Sequence, residues 1–291
     1  MSAIHRFPLR SEQKRDGHLV FTVDVVSAVD SRYLPHVMAV ARSIADTMKW
    51  PYRAVYHLIY DGPESQDTRR LESFTHLRLT IRLRTVHNPL SDLAPKGYIT
   101  AASLLRLITP NVLPDLRRVI YLDADVVVHR SLHHLFAIPL DGKPLAGAID
   151  LSLLAHRYNT SSWWHDTITD YMDNVLRVDP AKYVNTGVLL IDLAALRRED
   201  FTTKATSMAR ERHGTFLFFD QDVINVLYRD RIKLLDARWN SIRALTASDA
   251  ASLPSPYRVY AAWQRTTPFI THYAGPEKPW HATEAGEIKP S

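Results

Sequence analysis

Short apolar runs rich in Val, Ile, Phe and Tyr alternate along this chain with segments of helical period, and that alternation restricts the fold more than any other feature. Residues 18–26 predict a strand, and Val37, Val40, Ala41, Ile44 and Met48 recur at helical spacing, predicting a helix over residues 34–48. Residues 53–60 predict a second strand, ended by the turn Asp61-Gly62-Pro63. After a polar helical stretch, Leu77, Leu79, Ile81 and Leu83 alternate with Arg78, Thr80, Arg82 and Arg84, the pattern of a half-buried strand near a sheet edge. Residues 100–107 suit a helix that ends before Pro110. Residues 118–122, 145–149 and 188–191 are buried-strand candidates, and beyond about residue 200 the pattern becomes more helical and irregular. The succession predicts an α/β fold around a largely parallel sheet.

Composition removes whole classes of chemistry. The 291 residues contain no cysteine, which excludes disulfide scaffolds, zinc ribbons, iron–sulfur clusters and thiol nucleophiles, and leaves oxygen and imidazole ligands for any metal. The net charge is +5, with 27 Arg and 9 Lys making up the 36 basic residues. They occur in no run of four or more, which argues against a nucleic-acid-binding arm or a polybasic anchor. No apolar stretch reaches the roughly 20 residues of a membrane span, and no signal-peptide core follows the N-terminus. The expected location is cytoplasmic, with peripheral contact at the inner face of the membrane left open. Residues 1–17 read as a flexible leader, 18–280 as one domain (a nucleotide-binding half over about 18–130, a sugar and acceptor half over about 131–280), and 281–291 as a polar tail.

Four constellations carry the chemistry. The apolar run from Val119 to Leu122 delivers Asp123-Ala124-Asp125, two carboxylates at a strand's C-terminal end, where open α/β sheets bind ligands. Such a pair suits Mn²⁺ or Mg²⁺ and its diphosphate; it also suits a turn cap. In Thr271-His272-Tyr273-Ala274-Gly275-Pro276-Glu277-Lys278-Pro279-Trp280, a histidine completes a metal shell, a glycine admits close backbone approach and a lysine neutralises phosphate. A surface loop anchored by its tryptophan fits the same residues. Phe219-Asp220-Gln221-Asp222 opens a helical pattern, so Asp220 serves either as an N-cap or as a cleft residue. Val184-Asn185-Thr186-Gly187 interrupts an apolar run with polar groups that need partners, either a sugar hydroxyl or the backbone. There is no G-x-G-x-x-G, Walker A loop, H-E-x-x-H or G-x-S-x-G.

In this order the four motifs resemble glycosyltransferase family 8, whose members share the GT-A fold, a Rossmann-like and mostly parallel sheet flanked by helices. The similarity is strongest to bacterial lipooligosaccharide galactosyl- and glucosyltransferases, and it runs from about His18 to Trp280. The resemblance implies a retaining hexosyltransferase that moves glucose or galactose from a UDP-sugar to a saccharide hydroxyl, lipopolysaccharide or another envelope glycan. It implies Mn²⁺, or Mg²⁺, held by Asp123, Asp125 and His272, with Ala124 between the carboxylates. Gly275 and Lys278 then lie against the phosphates, Asp30 reads the uracil and Tyr33 stacks nearby. Arg32 stands where the family often has an asparagine at the ribose. By the same resemblance Arg106, Asn185, Thr186 and Asp220 surround the donor sugar, Gln221 faces the reacting carbon and Asp150 lies near sugar and acceptor. Asp220 and Asp150 are the carboxylates available to a covalent intermediate. Same-face substitution is the favoured route, because the neutral amide of Gln221 is a poor nucleophile. A small soluble acceptor, a metal-dependent nucleotidyltransferase and a non-catalytic sugar-binding module are the alternatives.

Overall fold

Eight strands build the main sheet of the computed structural model, which describes residues 10–15, 18–93 and 101–281. They are β1 (Arg10–Arg15), β2 (His18–Asp30), β3 (Tyr52–Asp61), β4 (Leu79–Thr85), β5 (Arg118–Leu122), β7 (Leu145–Ile149), β8 (Val184–Asp192) and β9 (Ile232–Leu234). Seven of them lie in the order β4-β3-β2-β5-β8-β7-β9, with β1 paired to β2. The pairs β2–β3, β2–β5, β3–β4 and β7–β9 are parallel, while β8 runs antiparallel to both β5 and β7. Strands from both halves of the chain therefore share one sheet.

The central strands read as continuous apolar runs because both faces are covered, as the burial of β3 from Ala54 to Tyr60 illustrates. Alternate residues feed two cores: Val26, Ile59, Tyr121 and Leu189 on one face, Val25, Leu58, Ile120 and Leu190 on the other. The helix Leu34–Thr47 starts with proline in its first turn and buries Val37, Val40, Ala41 and Ile44 in the second core. The alternating strand β4 takes the sheet edge, where its arginines discourage further pairing.

Four expectations change. Arg10–Arg15, inside the expected leader, is strand β1, antiparallel to the start of β2 with Arg15 opposite His18. Residues 1–9, 16 and 17 of the expected leader lie outside the described residues. Pro110 does not stop a helix. A 3₁₀ helix over Ala101–Ile108 passes into the turn Thr109–Val112, and Pro110 sits in that first turn, where a missing N–H costs nothing. A second, three-stranded sheet, β6 (Val126–Val128), β10 (Ser241–Ile242) and β11 (Ile270–His272), stands where no strand was expected; two or three residues carry no readable period. The strand expected at 188–191 starts earlier, at Val184, so Asn185 and Thr186 belong to it. Of the expected tail, residues 282–291 lie outside the described residues. No helix among the described residues is long and apolar enough to cross a membrane.

Candidate active site

The parallel strands end, and the antiparallel β8 begins, on one edge of the sheet. Asp30 closes β2, Asp123 follows β5, Asn185 and Thr186 open β8, and Asp150 follows β7. With strands about 4.8 Å apart, the order β2-β5-β8-β7 lays these side chains out in a row. They line a cleft of about 390 Å³. Opposite β8 the pairing jumps from Gly147↔Leu189 to Ala148↔Asn185, so Thr186, Gly187 and Val188 bulge from the β7 ladder at the cleft. The small sheet supplies the remaining wall: β11 runs antiparallel to β6 with His272 opposite Val126, and Tyr273 N–H donates to the Asp125 carbonyl at 3.0 Å.

Asp123, Asp125 and His272 converge, with one ligand atom from each lying within 4.8 Å of the others. His272 Nε2 is 3.2 Å from Asp125 Oδ1 and 3.7 Å from Asp123 Oδ2. A chain of hydrogen bonds settles which imidazole nitrogen faces them. Asp150 Oδ2 can only accept, so Asn185 Nδ2 donates to it (3.0 Å), and Asn185 Oδ1 accepts from Gly187 N–H (3.0 Å). Asn240 Nδ2 must then donate to Asn185 Oδ1 (2.8 Å), which leaves Asn240 Oδ1 to accept from His272 Nδ1–H (2.9 Å). In the neutral ring the lone pair is on Nε2, between the carboxylates.

These residues fit a divalent cation. Two carboxylates and an imidazole form an oxygen-rich set suited to Mg²⁺ or Mn²⁺. Asp125 Oδ1 is buried and accepts no hydrogen bond among the described residues. Gly187 keeps the space open: a Cβ there would stand 2.2 Å from His272 Cε1 and 2.9 Å from Asp123 Oδ2.

Two buried cations balance the acidic cluster. Arg106 binds Asp220 Oδ2 at 2.7 Å, pairs with Asp123, donates to Thr186 Oγ1 and lies over the Tyr121 ring at 4.3 Å. Burial disfavours its charge, yet Asp123 and Asp220 raise its pKa above the ordinary arginine value. Lys278 Nζ pairs with Asp125 and donates to the Tyr273 carbonyl at 2.7 Å. Burial opposes ionisation of Asp125, but the imidazolium form of His272 and the Lys278 ammonium outweigh it and hold the carboxyl well below the usual range. For Asp220 burial prevails over the attraction of Arg106, and its pKa is raised.

Gln221 is fixed at both ends: its Oε1 accepts Thr186 N–H at 3.2 Å and its Nε2 donates to Asp150 Oδ2 at 3.2 Å. Asp150 Oδ1 caps the helix Leu151–Tyr158 through Leu153 N–H at 3.1 Å. Asp220 is not the N-cap of its helix, Asp220–Leu227; Phe219 is, at φ +44°. That unfavourable backbone is braced by the buried Asp222, which accepts from Phe218 N–H, Tyr171 OH and Tyr183 OH, each at 2.6 Å.

At the β2 end, Asp30 Oδ1 accepts from Arg32 N–H (3.0 Å) and Tyr33 N–H (3.3 Å), and the exposed Arg32 guanidinium pairs with its Oδ2. Burial, then Asp125 and Asp123, raise the Tyr33 pKa. Gly275 sits at φ +95°, a conformation suited to glycine, and Trp280 stacks on His36 at 3.7 Å while meeting Tyr33 edge-on at 5.8 Å. The tryptophan is an anchor and Lys278 a site residue, so the two readings of that segment hold together.

All the expected site residues except Ala124 are polar or glycine, and the structure brings every one of them to the cleft. Sequence reasoning missed Asn240, for which no period or motif exists, and the bracing role of Asp222. Gly187 was visible as the glycine interrupting an apolar strand.

The sequence profile described as Glycosyl transferase family 8 matches residues 24–284. General stress protein A of Bacillus subtilis (strain 168) is 24% identical over 269 residues, covering 89% of this chain and 87% of that protein. Lipopolysaccharide 1,2-glucosyltransferase of Escherichia coli (strain K12) is 26% identical over 263 residues, covering 89% and 73%. The solved structure of the galactosyltransferase LgtC in complex with donor and acceptor sugar analogs is similar with a TM-score of 0.73, at 24% identity and over 91% of both chains.

Proposed function

The chain belongs to glycosyl transferase family 8 and is a glycosyltransferase of GT-A fold, and on that premise we propose that it moves glucose or galactose from a UDP-sugar to a hydroxyl of a cell-envelope saccharide, with retention at the anomeric carbon. The observation that carries this reading is the convergence of Asp123, Asp125 and His272 on the sheet edge that also holds Asp150 and Gln221. Asp123, Asp125 and His272 would hold Mn²⁺, which when bound supplies Lewis-acid stabilisation to the leaving diphosphate.

The chain's own groups do the rest. Lys278 and the backbone at Gly275 sit beside the metal set and add positive charge and close approach for phosphate. Asp30 and Tyr33, two strand positions from β8, bind the uracil end. Arg106, Asn185, Thr186 and Asp220 orient the sugar. Asp150 already accepts from Asn185, Gln221 and Leu153, and Asp220 pairs with Arg106, so both carboxylates are engaged. This favours same-face substitution: the anomeric C–O bond breaks with its electron pair passing to the diphosphate. The acceptor oxygen bonds to the same face, and its proton passes to the leaving phosphate oxygen. Gln221, locked by Thr186 and Asp150, presents a neutral amide, a poor nucleophile toward the sugar.

UDP release from UDP-glucose and UDP-galactose without acceptor tests the proposal. One donor should be hydrolysed slowly, the activity should vanish with chelator, and Asp125→Asn should lower it by roughly 100-fold. Hydrolysis that ignores both chelator and the substitution would overturn the metal assignment, and silence with both donors would overturn the donor.

A further inference from the structure

Beyond Asp150 the cleft continues to an end that the donor groups do not occupy. Ser152, Leu153 and His156 reach it from the helix Leu151–Tyr158, and Trp163, Trp164 and Phe218 close it. Strand order puts this end opposite the Asp30 end, because β7 and the helix that follows it lie on the far side of β5 from β2.

Trp164 is wedged there. Its ring meets His156 edge-on at 5.7 Å and Phe218 edge-on at 5.8 Å, and the Trp164 backbone N–H shares Ser162 Oγ (3.2 Å) with His156 Nδ1 (2.8 Å). Trp163 stacks on Trp164 at 5.4 Å with the planes 23° apart, yet it remains 84% exposed. A braced indole this open to water on the wall of the cleft offers its free face to whatever the cleft binds. A pyranose has a matching shape: its axial C–H groups form one flat apolar face, and its hydroxyls point outward from the rim. Stacked on an indole, the ring buries that face and leaves the hydroxyls free to bond.

We infer that Trp163, braced by Trp164, is the platform on which the acceptor's pyranose ring stacks, bringing a rim hydroxyl to the Asp150 side of the cleft. The acceptor is therefore a hexopyranoside with a continuous C–H face. This rests on the hexosyl-transfer reading above.

The test separates the two. Tryptophan fluorescence is followed while the protein is titrated with methyl β-D-galactopyranoside, methyl β-D-glucopyranoside or sorbitol, with and without UDP and Mn²⁺. At least one glycoside should give a saturable change and the acyclic sorbitol none. Read by saturation-transfer NMR, since the substitutions remove an indole reporter, Trp163→Ala should weaken glycoside binding by about tenfold and Trp163→Tyr should restore most of it, while the unfolding midpoint stays put in both variants because Trp163 is 84% exposed. Equal binding by wild type and Trp163→Ala, equal binding of sorbitol, or no response up to about 0.1 M glycoside would each overturn the platform. Absence of UDP release in wild type would instead overturn the donor reading, since the sugar titration needs no donor.

Discussion

Asn240 is not one of the three converging ligands, yet it decides which nitrogen of His272 can serve as one. Its amide accepts the Nδ1 proton and donates to Asn185, so the ligand lone pair and the groups around Asp150 are set by one buried chain. Outer partners of this kind typically change metal affinity by about 10–100-fold. Asn240→Leu is therefore expected to weaken Mn²⁺ binding by about that factor, read by calorimetry without any donor, while the thermal unfolding midpoint shifts far less than a lost ligand site would suggest. Undiminished Mn²⁺ affinity would show that the tautomer is set elsewhere. Gly187→Ala makes the complementary case, because its methyl would occupy the space between His272 and Asp123; Mn²⁺ binding should be lost with β8 still paired to β5. The two residues differ in legibility. A glycine inside an apolar strand signals close approach, whereas an asparagine ending a 3₁₀ turn after Trp239 acquires its role only through contacts 32 and 55 residues away.

The helix Asp220–Leu227 shows how an element inherits its position from a buried acid. Asp222 gathers two tyrosine hydroxyls and the Phe218 N–H, and so holds the turn that presents Asp220 and Gln221. Burial raises its pKa from the ordinary 3.8 to about 6, against the lowering effect of Tyr171, Tyr183 and the backbone. An acid with a higher pKa in the folded state binds its proton more tightly there than in the unfolded chain. Its contribution to stability is thus largest at low pH and declines as pH rises from about 4 to about 6, by about 3 kcal/mol. In urea unfolding, the stability difference between wild type and Asp222→Asn should shrink by up to that amount across this window; a gap independent of pH would refute the shifted carboxyl. Periodicity found the elements long enough to show it, such as the helix at Leu34–Thr47 and strands β3 and β5. It missed β6, β10 and β11, whose two or three residues owe their pairing to tertiary contact, and it left Asp220 as either a cap or a cleft residue because an acid opening a helix is usually a cap.

At the scale of the molecule, the site is closed by joining the two ends of the fold. The segment after β11 returns to the start of the first helix: Lys278 is buried against Asp125, and Trp280 lies flat on His36 and edge-on to Tyr33. None of these rings belongs to the fully buried part of either large core, although Tyr33 packs against one of them. Among the described residues the closure is held by the Tyr273 N–H bond to the Asp125 carbonyl, one ion pair and two aromatic contacts, the last contributing about 0.5–1.5 kcal/mol each, and it can open without unfolding the sheet. Trp280→Ala should accordingly speed amide exchange in residues 273–281 by about 5–30-fold while β2, β3 and β5 keep their protection and the unfolding midpoint moves by only about 2 °C. UDP affinity should fall with the same substitution, since Lys278 is delivered by the segment that Trp280 pins. If exchange accelerates throughout the sheet instead, Trp280 is a core residue of the whole fold, and the nucleotide end has no closure of its own.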